Sequence, residues 1–328
     1  METNLEINNG NFNDCSEGQP QGNRKLPLTR EKKRLIFYIL MMIWPVAQIA
    51  IFYIYANISA LSLAFQKYSL GVGEQYQIDW VLFDNFARII NLFSTEYYLD
   101  MVWNSILLHL FKLFAGTALA LGFSYYIYKK FALSEFFRVM LFLPSIISSV
   151  VLIMLYRYVV TDVYMALFNA PEGLMSTHTM AVVVFYNVWV SFGMNVLLYC
   201  GAMSGINDSI SESAQLDGVN ILGEFFYITL PMIFPTITTF IVVGIAGIFS
   251  DNMHLYTFYM EGAPFQTVGY FIYVQSLKSG LIPRSSVGNI VWLSYSEISA
   301  LGLMITAIIC PLSLITRNLL EKYGPSDH

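Results

Sequence analysis

Charge is what this sequence has least of. Only 12% of its 328 residues are Asp, Glu, Lys or Arg, about half the share of a typical soluble domain. With 56% hydrophobic residues, a water-soluble fold of this length could not cover its apolar surface. Cysteine is sparse as well. Cys15, Cys200 and Cys310 lie far apart, with no CxxC and no metal-ligand spacing, and read as isolated thiols. The first 23 residues contain no Lys or Arg, only four acids (Glu2, Glu6, Asp14, Glu17) among Asn and Gly. That composition reads as a disordered tail. The first apolar run, from about Leu35, is too long for the h-region of a cleavable signal peptide. The sequence also lacks a P-loop GxxxxGK[ST], an HExxH, a Ser/His pair and clustered carboxylates within its apolar stretches, which argues against a nucleotide hydrolase or a membrane-embedded enzyme.

What is present is apolar and aromatic, with 22 Tyr and 25 Phe. A spanning helix needs about 20 mostly apolar residues. Six stretches qualify: 35–60, 101–128, 138–160, 179–203, 226–249 and 291–317. Longer polar connections are expected at 67–100, 161–178 and 250–290, and short ones at 129–137 and 204–225. Lys and Arg fall unevenly about this frame, eleven on the side of the N-terminal cluster (Arg24 to Arg34) and five on the other. Both termini are therefore expected in the cytoplasm, with tails at 1–34 and 321–328 and the membrane domain over 35–320. Trp103 and Trp292 at one interface, and Tyr125, Tyr126 and Tyr128 at the other, agree with this placement. Pro45 and Pro311 fall inside the first and last spans, where neighbouring helices can satisfy the freed carbonyls.

The loop 204–225 differs from the other connections. Asn207, Asp208 and Ser209 offer N-caps, and Glu212, three residues after Ser209, completes a capping box. A short helix over 209–217 would place Ile210, Ala214 and Leu216 or Asp217 on one side. Gly218 would then allow a sharp reversal, and a second amphipathic piece (Ile221, Leu222, Phe225) would lead to Pro231.

These residues carry a resemblance. Glu212-Ser213-Ala214, then Leu216-Asp217-Gly218, and further on Ile228 and Leu230-Pro231, resemble the EAA loop of permease subunits in binding-protein-dependent ABC importers. Ser213 stands where that family usually has Ala. Phe137-Arg138, Leu143-Pro144 and Tyr156-Arg157-Tyr158 resemble the FR…LPxxIS…WRW stretch of carbohydrate-type permeases similar to MalF. Trp189, Gly193, Gly201 and Ile206 look like that group's segment before the EAA loop. Glu261-Gly262-Ala263-Pro264 resembles a stretch that usually ends in GGP. The resemblance covers roughly 35–320. It implies an all-α transmembrane fold, a six-helix type I ABC importer permease bundle with a cytoplasmic EAA coupling helix, lying in the cell membrane. It also implies a sugar or oligosaccharide as solute and three kinds of partner: a second permease subunit, two ATPase subunits and an extracytoplasmic solute-binding protein. ATP hydrolysis would occur on the ATPase subunits, and this chain would need no cofactor and no nucleic acid. The coupling residues would be Glu212, Ser213, Ala214, Leu216, Asp217 and Gly218.

Candidate solute contacts come from polar residues in apolar surroundings. Asn187, Ser191, Asn195 and Tyr199 form one stripe at intervals of four; they line a path or bond to neighbouring helices. Trp189 could stack on a sugar or serve packing. Asp251, Asn252 and His254 cluster where the fifth span ends, as solute contacts or as a cap. Lys112 lies eleven residues into the second span, ~16 Å along the helix, with His109 on the same face. A cation at that depth costs ~2.5–3.5 kcal/mol unless paired or wetted. It either lines a watery path, favouring an anionic or polyhydroxylated solute, or pairs with an acid on the partner permease. A secondary transporter or channel is the competing class, but its usual internal repeats and intramembrane acids are not evident.

Overall fold

The computed structural model describes residues 30–70, 76–280 and 291–325. The tail up to residue 29 and the last three residues lie outside the described residues, as does Arg284. By contacts the chain divides into two units, Met1–Asn57 and Ile58–His328.

The first helix runs from α1 (Arg30–Gln48) through a π-helical stretch, Ile49–Ile54, into α2 (Tyr55–Ala64). From Leu35 to Ile54 it is almost wholly apolar, as lipid requires, and the helix is longer than the expected span. An antiparallel pair follows, β1 (Gln66–Leu70) and β2 (Tyr76–Trp80), with Tyr68 opposite Ile78. This hairpin is the one strand pair among the described residues, and the rest of the fold is the helical one expected. Tyr68, Ile78 and Trp80 give the segment its β propensity. The amphipathic α3 (Asp84–Phe93) then leads into α4 (Glu96–Tyr128), the second span.

The third span is not one helix. α5 (Ser134–Ile146) stops at extended Ile147, and α6 (Ser149–Tyr158) restarts after Ser148. A π-helical stretch, Val159–Val163, carries it into α7 (Tyr164–Phe168). After α8 (Leu174–Thr177), α9 (Thr179–Met203) forms the fourth span over the residues expected for it. α9 is the centre of the bundle, its residues Val183, Tyr186, Val196, Tyr199 and Met203 almost fully buried. Ser124 of α4 donates to the Val196 carbonyl at 2.9 Å, and Cys200 to the Ser124 carbonyl at 3.4 Å. Such bonds hold helices together where lipid offers no alternative partner. Gly193 lets α5 approach α9 closely: a Cβ there would sit 1.9 Å from the Leu141 carbonyl oxygen.

Beyond the polar loop, with α10 (Asp208–Leu216) and α11 (Ile221–Glu224), a π-helical stretch, Phe225–Thr229, and α12 (Leu230–Met232) precede α13 (Phe234–Ala246). The segments Ile221–Met232 and Phe234–Ala246 meet at 69°, so the fifth span is bent rather than straight. Pro235 in the first turn of α13 removes a backbone donor at the bend. The connection after it holds α14 (Leu255–Tyr259) and α15 (Val268–Lys278). α15 is too short to span. Val268 and Phe271 are buried with Ile89, Tyr98, Met101, Leu293 and Leu301, which ties it to α3, α4 and α16 (Tyr295–Tyr323). The last helix starts with a capping box, Ser294 with Glu297, and the buried Glu297 also accepts from Arg88 of α3 at 2.6 Å.

Candidate functional site

Polar chemistry concentrates at two places along α4, its C-terminal end and its middle. Near its C-terminal end lies the loop 204–225. The cap there is Asn207, whose side chain accepts from the Ser209 backbone at 3.1 Å, so the helix begins at Asp208. This corrects the capping box expected from Ser209 and Glu212. Asn207 wins because its short amide reaches the second backbone N–H from the cap position. At the other end Gly218 has φ +76°. The Gly218 N–H donates to the Gln215 carbonyl and the Val219 N–H to that of Ala214, the paired bonds of a Schellman ending. Within this short helix Ala214 is buried, Glu212 and Ser213 lie toward the surface, and Asp217 caps the C-terminus. Leu216, with Asp217 an alternative for the side of Ile210 and Ala214, is 89% exposed.

A clasp that the sequence reading did not include holds this helix to α4. Glu224 is only 3% exposed and pairs with Lys129, the C-cap residue of α4. Ser211 of α10 donates to Glu224 at 2.6 Å, and Lys129 donates to Ser211 at 2.7 Å. The Tyr125 hydroxyl donates to the Ile221 carbonyl at 3.0 Å. Among the described residues, no buried side-chain nitrogen or oxygen of this loop lacks a hydrogen-bond partner.

The second concentration lies within the bundle. Lys112 of α4 pairs with Asp251, just beyond α13. Lys112 is expected either to line a watery path or to pair with an acid on a partner permease; the acid beside it is on the same chain, 139 residues away in sequence. His109 Nδ1 lies 3.4 Å from the same carboxylate, and His109 Nε2 is 2.8 Å from the Gly244 carbonyl. A cavity of about 240 Å³ opens beside them, lined by His109, Lys112, Thr117, Ser191, Asn195 and Asp251 among others.

Asp251 is positioned by a strained turn. Met253 and His254 both have positive φ, 49° and 56°, a conformation costing ~1–3 kcal/mol at each non-glycine residue. Asp251 accepts from the Met253 N–H at 2.8 Å and Asn252 from the His254 N–H at 2.9 Å. Asn187, 2% exposed, donates to the Met253 carbonyl at 2.9 Å and contacts His254 Nδ1 at 3.0 Å. Of the sequence candidates, Lys112, Asn195, Ser191 and Asp251 therefore share the cavity. Asn187 and Asn252 instead hold the turn that aims Asp251. Tyr199 is buried against Phe240. Trp189 packs against Tyr156 and Tyr186 beside a separate apolar hollow.

A bundle of spanning helices, with a rigid helix clasped at one end and a polar cavity inside, has the parts of a membrane transport subunit. Residues 113–325 match the family described as binding-protein-dependent transport system inner membrane component, and the chain belongs to that family. It is 26% identical over 266 residues to the sn-glycerol-3-phosphate transport system permease protein UgpA of Shigella dysenteriae, covering 76% of this chain and 82% of the relative. The corresponding protein of Salmonella typhi is 25% identical over 287 residues, covering 82% and 89%. The fold is shared with a chain of a bacterial alginate ABC transporter crystallised with an alginate pentasaccharide-bound periplasmic protein, at a TM-score of 0.67 and 18% identity over 90% of this chain and 97% of that one. A second structure, of a bacterial ABC transporter involved in the import of the acidic polysaccharide alginate, gives a TM-score of 0.66 at 19% identity. This chain is an ABC importer permease of the inner membrane.

Proposed function

We propose that this permease forms half of a translocation path for a sugar or oligosaccharide, and that it is driven through α10 by ATPase subunits it does not itself contain. A second permease would supply the other half, and an extracytoplasmic binding protein would deliver solute. Both termini and the loop 204–225 lie in the cytoplasm on this reading, which the distribution of Lys and Arg supports. The observation that carries the coupling role is the pairing of an exposed Leu216 with a helix fixed by Asn207, Gly218 and the Lys129–Glu224–Ser211 clasp. A cleft that grips Glu212 to Gly218 would move α4 as well as the bent fifth span. ATP-driven closure of the ATPases would then switch the bundle as a rigid-body rearrangement.

The solute contacts assigned on this chain are Lys112, Asn195 and Asp251 around the polar cavity, with Asn187 and Asn252 in support. Reconstitution tests the reading. Uptake into liposomes should require ATP, the ATPase subunits and the binding protein together. Uptake by this chain alone, driven by an ion gradient, would show a secondary transporter instead.

A further inference from the structure

We infer that this chain's part of the path accepts an uncharged, hydroxyl-rich solute and rejects anions, with Asp251 setting the preference by cancelling the charge of Lys112. The inference rests on the reading of the cavity beside Lys112 as part of the path. A lone ammonium at that depth would be the strongest attraction for an anion in the bundle. It is already engaged by Asp251. The remaining polar lining, Thr117, Ser191 and Asn195, is uncharged and offers hydroxyls and an amide that both donate and accept.

His109 is likewise taken up within the cluster: its Nε2 lies 2.8 Å from the Gly244 carbonyl and its Nδ1 3.4 Å from the Asp251 carboxylate, so both ring nitrogens face groups of this chain.

Charges toward the same end of the bundle follow the pattern. Arg88 is paired with Glu297 and Lys278 with Glu261. Among the described residues, Asp79, Asp84, Glu96, Asp100, Asp162 and Glu172 are in no ion pair, against Lys67 and Arg157. An arriving anion meets a field of its own sign, which lowers its local concentration. The relatives named for sn-glycerol-3-phosphate and for alginate serve anionic solutes; the inference separates this chain from them.

The test uses the complete importer with its binding protein in liposomes, with maltose, maltotriose and glycerol as neutral probes and sn-glycerol 3-phosphate, glucose 6-phosphate and digalacturonate as anionic ones. The fastest ATP-dependent uptake should be of a neutral probe. An anion carried fastest, still with ATP, would overturn the inference and leave the importer reading standing. Uptake indifferent to ATP would overturn the importer reading itself. Asp251→Asn should raise the ratio of anionic to neutral probe uptake about tenfold, and an unchanged ratio would refute the role of Asp251. Because a lone Lys112 endangers assembly, Lys112→Met combined with Asp251→Asn provides a second measurement. The double variant should keep the ratio of the unaltered importer, and a tenfold rise there too would show that Lys112 is not the agent.

Discussion

Removing the ammonium from the clasp at the coupling loop should separate ATP hydrolysis from transport. In Lys129→Met the Glu224 carboxylate, 3% exposed, loses its charge partner and keeps only Ser211. Breaking one side of a buried pair costs about 3–5 kcal/mol, mostly the penalty of an uncompensated charge. Two responses can relieve it: Glu224 takes up a proton, or the turn between α10 and α11 opens to admit water. Either loosens Ser211 from α4, so α10 can move in its cleft without taking α4 along. Lys129→Met should therefore assemble and hydrolyse ATP, yet transport several-fold fewer solute molecules per ATP. Lys129→Met with Glu224→Gln removes both charges and keeps a hydrogen-bonding amide beside Ser211; it should recover much of the ratio. The assay is solute uptake and phosphate release on the same liposomes, with complex recovery checked by gel filtration. A single variant with normal uptake per ATP would refute the claim that the clasp transmits force.

Gly218→Val should weaken docking of the ATPase subunits while leaving membrane insertion intact. No atom lies within 4 Å of the Cβ position, so the cost is purely that of φ +76°, ~1–2 kcal/mol; Gly218→Asn should be much milder, and equal binding by both variants would be a contrary result. Glu212→Lys should also impair coupling, read as a loss of solute-stimulated ATPase activity at normal complex yield. Gly193→Ala should lower the thermal unfolding midpoint in detergent, because its Cβ would meet the Leu141 carbonyl at 1.9 Å and force α5 off α9. Asn187→Leu should reduce uptake although its side chain does not line the cavity, because the 251–254 turn loses two hydrogen bonds; unchanged uptake would mean the turn holds itself.

Features written into a local run of residues could be read directly. α9 coincides with its expected span because a 25-residue, mostly apolar stretch has few other options in a membrane, and Gly218 marks its reversal because only a positive φ continues the chain there. Features that depend on distant partners could not. Nothing near Lys112 points to Asp251, 139 positions on, and nothing near Glu224 distinguishes it from a solvated loop acid until Lys129 is beside it. α15 was hidden for a different reason. Its 11 residues are too few for a hydropathy window set to 20, and its burial against α3, α4 and α16 appears only when those helices are assembled. The break at Ile147 follows a proline, Pro144, whose effect a count of apolar residues ignores.

The bend of the fifth span works as a crank. At 69°, a push of 1 Å along the segment leaving the coupling loop resolves into about 0.4 Å along α13 and about 0.9 Å across it. Asp251 lies a few residues past the far end of α13, so a stroke delivered at the membrane face would reach the Lys112 pair mainly as a sideways displacement. Widening and narrowing of the polar cavity, rather than sliding of one helix along another, is the motion this geometry favours.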